Sequence, residues 1–437
     1  MFRSLVQCAC ACILALSILA VAVHGAAGQD LGQDQGQGPA QKLGEDLNQE
    51  LGQDPAQEPA GSVEPNVDPY AEPTVEPDAE PYVGAAANGQ PATSIYWGAY
   101  IQGNTYGVAN APWDTRAIDG FEKSAGKRIS ILHWGQPWQR CTPACVYQEF
   151  HEQKPQYDAM WQRGIIPLVD WASWASSAKP QHKQPKFSLQ RIIAGDHDAY
   201  IRRWAREAKA WGHPFFLRFN WEMNGNWFPW SENRNGNSSG EYVAAWRHVR
   251  DIFRAEGVTN AKWVWCPNVI DWRSKVPLSH YYPGGAYVDW LCIDGYNWGT
   301  NPAKPDRWKS FTALFGRTYS TLTRISAKPI MIGEISSTEI GGSKAAWIAD
   351  TLTNTLPRKF PRVRALLWFN WNADSMDWVL ESSPKAKAAF AKGISSSYYR
   401  AGQVSAVDVS LLDRPVLACP DDQCVFLPIV TNNSPLH

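Results

Sequence analysis

Eight short and almost uninterrupted apolar segments, spread between residues 93 and 370, limit the fold of this chain more than any other feature of its sequence. They are SIYWGAY (94–100), RISILHW (128–134), IIPLVDW (165–171), PFFLRFN (214–220), AKWVWC (261–266), VDWLCIDGY (288–296), PIMIGE (329–334) and VRALLWFN (363–370). They lack the polar alternation of strands with one solvated face, so we expect strands that are covered on both faces, as in parallel sheets.

Segments with helical periodicity separate these strands. In residues 201–211, Ile, Trp, Ala and Trp recur three or four positions apart, and Gly212 follows. Similar spacing is found in 242–253, 308–325 and 347–352. Eight such repeats over roughly 300 residues predict an α/β fold of the (β/α)8 TIM barrel class. A doubly wound open sheet is the alternative, but no glycine-rich phosphate-binding turn follows the first strand.

Two segments of different composition precede the predicted barrel. Residues 1–27 combine Arg3, an apolar run and small residues, a pattern typical of a secretory signal peptide. The apolar run is shorter than the roughly 20 residues of a membrane span, so we expect a secreted, extracellular protein without stable membrane insertion; an uncleaved anchor is the alternative. Residues 28–92 consist mainly of Pro, Gln, Gly, Ala and acidic residues, which predicts a disordered linker.

Charge is divided unevenly between these parts. The chain has a net charge of −1, but residues 28–92 hold 13 acidic residues and one lysine, against 39 basic and 29 acidic residues in 93–437. No Lys/Arg cluster stands out, so scattered solvating charge is the simplest explanation and no nucleic-acid partner is expected. The predicted domains are therefore a signal peptide (1–27), a linker (28–92), a barrel (93–398) and a C-terminal extension (399–437) in a monomeric protein, which the linker could hold at a cell surface.

The cysteines indicate disulfides. Three of the nine lie in the signal peptide, and the others are Cys141, Cys145, Cys266, Cys292, Cys419 and Cys424. The first two and the last two are close in sequence and are natural disulfide candidates in an exported chain. The middle two lie in apolar runs and form either a third pair or two buried thiols. A zinc site is not expected, because no histidine falls at ligand spacing beside them.

Two glutamates stand at predicted strand ends. Glu222 follows the fourth strand in RFNWEMNGNWFPW, and Glu334 ends the seventh in KPIMIGEISS. The carboxyl ends of the strands share one face of a barrel, so the two side chains are expected to meet there. Two carboxyl groups about 5 Å apart, one protonated and one ionised, are what retaining hydrolysis of a glycosidic bond requires. Arg218 has the parity to face inward and is predicted to keep Glu334 ionised.

Further side chains at the predicted strand ends suit a carbohydrate. Flat apolar surfaces for sugar rings are offered by eight tryptophans, with core packing as the alternative for each: Trp97, Trp134, Trp171, Trp227, Trp230, Trp298, Trp368 and Trp371. Hydroxyl groups could be bound by His133, Asp170, Asn268 and Asp294, for which a structural role has equal weight. No His/Asp cluster indicates a metal, and no cofactor is expected.

The segment RFNWEMNGNWFPW resembles the acid/base signature of glycoside hydrolase family 26, in which an arginine precedes Glu-Met-Asn-Gly, a tryptophan and an aromatic-Pro-Trp ending. DGYNWG, KPIMIGEISSTEIGGSKAAWI and LLWFNWNADSMDW are similar to the family's sixth, seventh and eighth strand regions, and the likeness spans residues 93 to 395. The resemblance implies that Glu222 is the proton donor and Glu334 the nucleophile. It also implies a cleft lined by Arg218, Tyr296 and Trp368, to which the aromatic and polar pattern adds His133, Trp227, Trp230, Asn268 and Trp298.

The sequence departs from the family at one position. Trp221 precedes the acid/base, where the family's mannanases often have histidine, so mannan becomes a weaker expectation as substrate. We expect an endo-acting, retaining hydrolase of β-1,4-mannan or mixed-linkage β-1,3-1,4-glucan, with β-1,3-xylan as a further possibility. A non-catalytic carbohydrate-binding barrel is the alternative from another class, and a metal-dependent hydrolase is a weaker one. Glu339, in a loop after Glu334, is the rival nucleophile.

Overall fold

The computed structural model describes six stretches of the chain, namely residues 94–141, 144–176, 182–270, 274–301, 307–373 and 375–402. The predicted signal peptide, the predicted linker, Cys419 and Cys424 lie outside the described residues. The domain boundaries drawn from the sequence therefore stay predictions.

Eight parallel strands form a closed barrel. They are β1 (Ile95–Ile101), β2 (Ile131–Cys141), β3 (Ile166–Ala175), β4 (Phe215–Phe219), β5 (Ala261–Trp265), β6 (Trp290–Asn297), β7 (Ile330–Ser337) and β8 (Val363–Asn370). Strands adjacent in the chain pair with each other, and β8 pairs with β1 from Tyr96↔Ala365 to Ile101↔Asn370. This closure confirms the predicted barrel, and each of the eight predicted strands is present.

Helices surround the strands. They are α1 (Thr115–Ala125), α2 (Phe150–Gln162), α3 (Leu189–Ile193), α4 (Asp198–Trp211), α5 (Glu241–Ala255), α6 (Phe311–Ile325), α7 (Lys344–Asp350), α8 (Leu356–Lys359) and α9 (Pro384–Ile394). Two details differ from the sequence-based expectation. The helix predicted over 308–325 begins later, because the Ser310 side chain accepts from the Ala313 N–H and caps it. The described part of the β5–β6 connection holds only a 3-10 turn, Leu278–Tyr281.

Two short strands extend the sheet. Cys145–Tyr147 pairs antiparallel with the end of β2, and a disulfide between Cys141 and Cys145, with an S–S distance of 2.03 Å, closes this hairpin as the sequence spacing predicts. Tyr399–Arg400 pairs with the start of β1, so the first residues after α9 lie against the barrel. None of the helices in the described stretches has the length and apolar character needed to cross a bilayer.

Aromatic side chains fill much of the layer between strands and helices. The Trp171 ring from β3 lies 5.1 Å from that of Trp138 and 4.7 Å from that of Trp204 in α4, measured between centroids. All three are fully buried. Burial of one large apolar side chain contributes about 1.5–3 kcal/mol, so this layer is a main source of the barrel's stability.

The seam where β1 meets β2 yields a prediction. A Cβ atom at Gly98 would lie 1.9 Å from the carbonyl oxygen of Ile131, so Gly98→Ala forces the two strands apart. We expect it to lower the free energy of unfolding in urea by about 3 kcal/mol. The matched control is Gly135→Ala in β2, where nothing lies within 4 Å of the added methyl group. It is expected to change stability by less than about 1 kcal/mol. Equal stability of the two variants would contradict this view of the seam.

Candidate active site

Glu222 occupies a tight turn directly after β4. Its φ of 52° and the φ of 44° at Asn220 are left-handed values that non-glycine residues rarely adopt. Surrounding contacts hold this backbone in place. The Glu222 N–H donates to the carbonyl oxygen of Cys266 at 2.7 Å, and the Asn220 amide bonds the backbone and hydroxyl of Ser173 at 3.0 and 2.8 Å. Such strained positions persist where neighbouring structure enforces them, and they concentrate at functional sites.

The Glu222 carboxyl group is buried and has two hydrogen-bond donors. Asn268 Nδ2 donates to Oε1 at 2.5 Å, and Trp227 Nε1 donates to Oε2 at 2.8 Å. Asn224 holds Asn268 by accepting from its N–H and donating to its carbonyl oxygen, both at 2.9 Å. Burial and then the negative charge of Glu334 raise the pKa of Glu222 to about 7, against the opposing effect of the two hydrogen bonds. Glu222 can therefore hold or release a proton near neutral pH.

Glu334 lies in β7 at the same end of the barrel, and it is 8% exposed. Arg218 Nη2 donates to its Oε1, and the Tyr296 hydroxyl donates to its Oε2. Burial and the charge of Glu334 raise the pKa of Tyr296 well above the usual value, so the phenol keeps its proton and remains a donor. Both oxygens of Glu334 are thus fixed by donors from other strands.

Arg218 is fully buried at the centre of an ion cluster. Its Nε and Nη2 donate to the two oxygens of Asp170, the latter at 2.6 Å, and Nη1 donates to Asp294 Oδ2 at 2.6 Å. His133 Nε2 lies 2.7 Å from Asp170 Oδ2. Burial favours a neutral Asp170, but Arg218 and His133 outweigh it and hold the pKa of Asp170 below its usual range. Burial raises the pKa of Asp294 well above its usual range, against the opposing effect of Arg218.

These contacts favour the structural role over the binding of substrate hydroxyls for Asp170, Asp294 and His133. Asp170 and Asp294 are engaged with Arg218 inside the barrel, and His133, which has no exposed surface, belongs to the same cluster. The same atoms also suggest a metal site, because donor atoms of His133, Asp170 and Glu334 lie within 4.8 Å of one another. The guanidinium of Arg218 contacts all three residues, so a cation already occupies the centre of this set.

Most of the tryptophans that were predicted to stack against sugar rings are buried in the core instead. Trp230 is fully buried and donates from Nε1 to the carbonyl oxygen of Trp221 at 2.7 Å, while Trp368 faces outward and packs 5.2 Å from Phe390 of α9. Only Trp227 and Trp298 of the eight are partly exposed. The buried six are Trp97, Trp134, Trp171, Trp230, Trp368 and Trp371. Trp230 and Trp368 therefore lack the free surface that binding a sugar requires.

Three partly exposed side chains contact the carboxylates, namely Trp227, Asn268 and Tyr296. The ring of Trp298, also partly exposed, lies 6.1 Å from that of Tyr296 between centroids. Two residues of this region were not predicted. Asn224 positions Asn268, and the ring of Trp378 packs 5.1 Å from Tyr296 and 4.9 Å from Trp298. Both belong to segments that resemble the family's motifs, but no local pattern reveals which side chain each of them supports.

The rival glutamate is placed differently. Glu339 accepts from the Ser382 hydroxyl at 2.9 Å, and its N–H donates to Asp377 at 3.1 Å. Its contacts thus tie together two loops. Glu334, by contrast, is held by Arg218 and Tyr296, and its charge acts on Glu222.

Parts of this chain are similar in sequence to known proteins. Residues 172–350 match the model of glycosyl hydrolase family 26. Endoglucanase H of Acetivibrio thermocellus is 37% identical over 280 residues, which are 64% of this chain and 29% of that protein. Mannan endo-1,4-beta-mannosidase A and B of Caldalkalibacillus mannanilyticus is 30% identical over 156 residues, 35% of this chain and 26% of that one. The chain thus spans less than a third of either relative.

A solved structure shows the same fold. The Cellulomonas fimi endo-beta-1,4-mannanase double mutant superposes with a TM-score of 0.54 at 19% sequence identity. The match covers 75% of this chain and 76% of that one. At this level of identity the likeness concerns the arrangement of strands and helices.

The electrostatic link between the two glutamates is testable. Glu334→Gln removes a negative charge that raises the pKa of Glu222, so this pKa is expected to fall below about 7. Carbon-13 NMR titration of labelled glutamate carboxyls measures it, with the Glu222 signal assigned from Glu222→Gln. Glu339→Gln is the matched control and is expected to leave the value unchanged. If both variants gave the wild-type titration, the two carboxyls would not share a site.

Proposed function

We propose that this barrel is a domain of glycoside hydrolase family 26. It is an endo-acting enzyme that hydrolyses internal bonds of a β-linked polysaccharide with net retention of anomeric configuration. The observation that carries the proposal is the difference between two neighbouring carboxyl groups. Glu222 holds a proton near neutral pH, whereas Glu334 is bound by the guanidinium of Arg218. A retaining glycosidase needs one acid and one nucleophile of this kind.

In the first step, an oxygen of the Glu334 carboxylate attacks the anomeric carbon while Glu222 gives its proton to the departing glycosidic oxygen. Arg218 and Tyr296 aim the attacking carboxylate by holding both of its oxygens. The resulting glycosyl ester leaves Glu334 uncharged. Its contribution to the raised pKa of Glu222 is then lost.

In the second step, Glu222 acts as a base. Asn268 and Trp227 stabilise its carboxylate form through their hydrogen bonds, and the loss of the neighbouring charge favours the same form. Glu222 takes a proton from water as the water oxygen attacks the anomeric carbon, and Glu334 departs as a carboxylate. The reaction needs no metal or organic cofactor.

For the substrate, we propose a mixed-linkage β-1,3-1,4-glucan first and β-1,4-mannan second, with β-1,3-xylan as a further candidate. The longer and more similar match is to a protein named an endoglucanase, and the shorter one is to a mannosidase. The residue before Glu222 supports placing glucan before mannan, because it is Trp221 and not the histidine that is frequent in the family's mannanases. The Trp221 ring is buried and its centroid lies 5.1 Å from the Arg218 guanidinium, so no imidazole contacts a sugar at this position. We further propose that the protein acts as a secreted monomer.

Retention is tested by the anomer first released. The full chain is incubated with each of the three polysaccharides, and proton NMR follows the new reducing ends. We expect the β-anomer first, and at least about a 100-fold loss of rate in Glu222→Ala and Glu334→Ala. Glu339→Ala, the matched control, is expected to keep activity. Initial release of the α-anomer would contradict retention, and equal activity of wild type and Glu334→Ala would favour a non-catalytic binding barrel.

The pH profile tests the role of Glu222. The first step requires its protonated form, so kcat/KM is expected to fall as pH rises through about 7. In Asn268→Ala the carboxylate loses a stabilising hydrogen bond, so the pKa rises and the basic limb of the profile moves to higher pH. The exposed Asn354→Ala serves as control and is expected to leave the limb in place. A limb that does not move in Asn268→Ala would show that another group sets it.

A further inference from the structure

We propose that a buried disulfide between Cys266 and Cys292 is a positioning element of the active site, which holds Asn268 and Asp294 where they bind Glu222 and Arg218. The catalytic part of this inference rests on the proposed function. The two sulfur atoms are bonded to each other, and both cysteines are fully buried.

The disulfide lies at an interruption between two neighbouring strands. β5 and β6 pair in parallel up to Trp265↔Leu291, and the next bridge is Asn268↔Asp294. Pro267 lies between these pairs and has no N–H to donate to the ladder. The register is the same on both sides of the gap. The disulfide therefore joins the two strands covalently at the point where their hydrogen bonding is weakened.

Each cysteine lies two residues before a residue of the site. Asn268, two residues after Cys266, donates to Glu222 Oε1 at 2.5 Å. The carbonyl oxygen of Cys266 itself accepts from the Glu222 N–H at 2.7 Å. After Cys292 comes Asp294, which accepts from Arg218 Nη1 at 2.6 Å. A shift of either strand would thus move a partner of the acid/base or of the arginine.

The sulfur atoms also touch the remaining parts of the site. Cys266 Sγ lies 3.6 Å from Arg218 Nη1. A Cβ atom at Gly333 would lie 2.4 Å from Cys292 Sγ, so the β7 backbone just before Glu334 passes directly over the disulfide. A misplacement of about 1 Å in such a site can reduce the rate about 100-fold. The disulfide is therefore placed to set the distance between the strands that carry Glu334, Asp294 and Asn268.

The chain offers a matched control. The Cys141–Cys145 disulfide closes the hairpin at the end of β2, where Cys145 is exposed. Among the described residues, the carboxyl groups of Glu222 and Glu334 are bonded by Asn268, Trp227, Arg218 and Tyr296, and not by either of these cysteines. Removing this disulfide eliminates a cross-link without touching the cluster. If activity is lost only when the Cys266–Cys292 pair is removed, the loss is due to the place of this disulfide in the site and not to the absence of a cross-link in general.

The test compares Cys266→Ala/Cys292→Ala with Cys141→Ser/Cys145→Ser in the full chain. In the first variant we expect kcat to fall about tenfold or more, with KM within about threefold of wild type, because geometry in the transition state is lost and binding is not. The basic limb of its kcat/KM profile should move to higher pH, because Asn268 no longer stabilises the Glu222 carboxylate. In the second variant, kcat and the limb should match wild type.

Near-ultraviolet circular dichroism establishes that the variants fold. If the alanine pair does not, Cys266→Val/Cys292→Ala restores apolar volume and is measured in its place. If the folded Cys266→Ala/Cys292→Ala variant, or the Cys266→Val/Cys292→Ala variant in its place, showed wild-type kcat and an unmoved basic limb, the proposal would be overturned. Alkylation of the unfolded, unreduced protein followed by mass mapping must leave both cysteines unlabelled, and labelling of both would overturn it as well.

Failure of the proposed function has a different signature. If wild type hydrolyses none of the polysaccharides, that proposal fails, yet carbon-13 titration of Glu222 still reports on the disulfide without any substrate. An upward shift of the Glu222 pKa in the alanine pair, and not in the hairpin variant, would support a positioning role. An identical titration in all three proteins would refute it.

Discussion

The buried guanidinium of Arg218 is the interaction on which the site depends. Transfer of a charged group from water into a protein interior costs several kcal/mol, and hydrogen-bonded partners of opposite charge must offset this cost. Arg218 in β4 bonds Asp170 in β3, Asp294 in β6 and Glu334 in β7. One cation therefore ties four strands together at the mouth of the barrel, and it fixes the orientation of Glu334 at the same time.

The same cluster gives two glutamates different chemistry. Glu334 has a guanidinium and a phenol as donors, whereas Glu222 has the neutral donors Asn268 and Trp227. Burial and a nearby negative charge then raise the pKa of Glu222 to about 7. The two side chains are chemically identical, so the difference between them comes from their surroundings.

Much of the fold could be predicted from the sequence, because continuous apolar runs and three-to-four-residue periodicity are local signals of covered strands and amphipathic helices. β1 to β8 and α4 lie where these signals place them. The aromatic residues were predicted less well. Trp368 and Phe369 are neighbours in β8, but Trp368 packs against α9 while Phe369 packs against Tyr296. Which residue faces the mouth depends on how the strand tilts and twists in the closed barrel, and composition does not contain that information.

The sequence by itself determined the eight strands and the positions of Glu222 just after β4 and Glu334 within β7, because the apolar runs that mark covered strands are local signals. Tertiary structure decided what surrounds those glutamates. Asp170, Asp294 and Arg218 come together only when the sheet closes, and only then do Cys266 and Cys292 become neighbours across two strands. How deeply a side chain is buried, and which charges surround it, depend on residues from distant parts of the chain. The raised pKa of Glu222 and the burial of Trp230 and Trp368 in the core therefore follow only from the folded barrel.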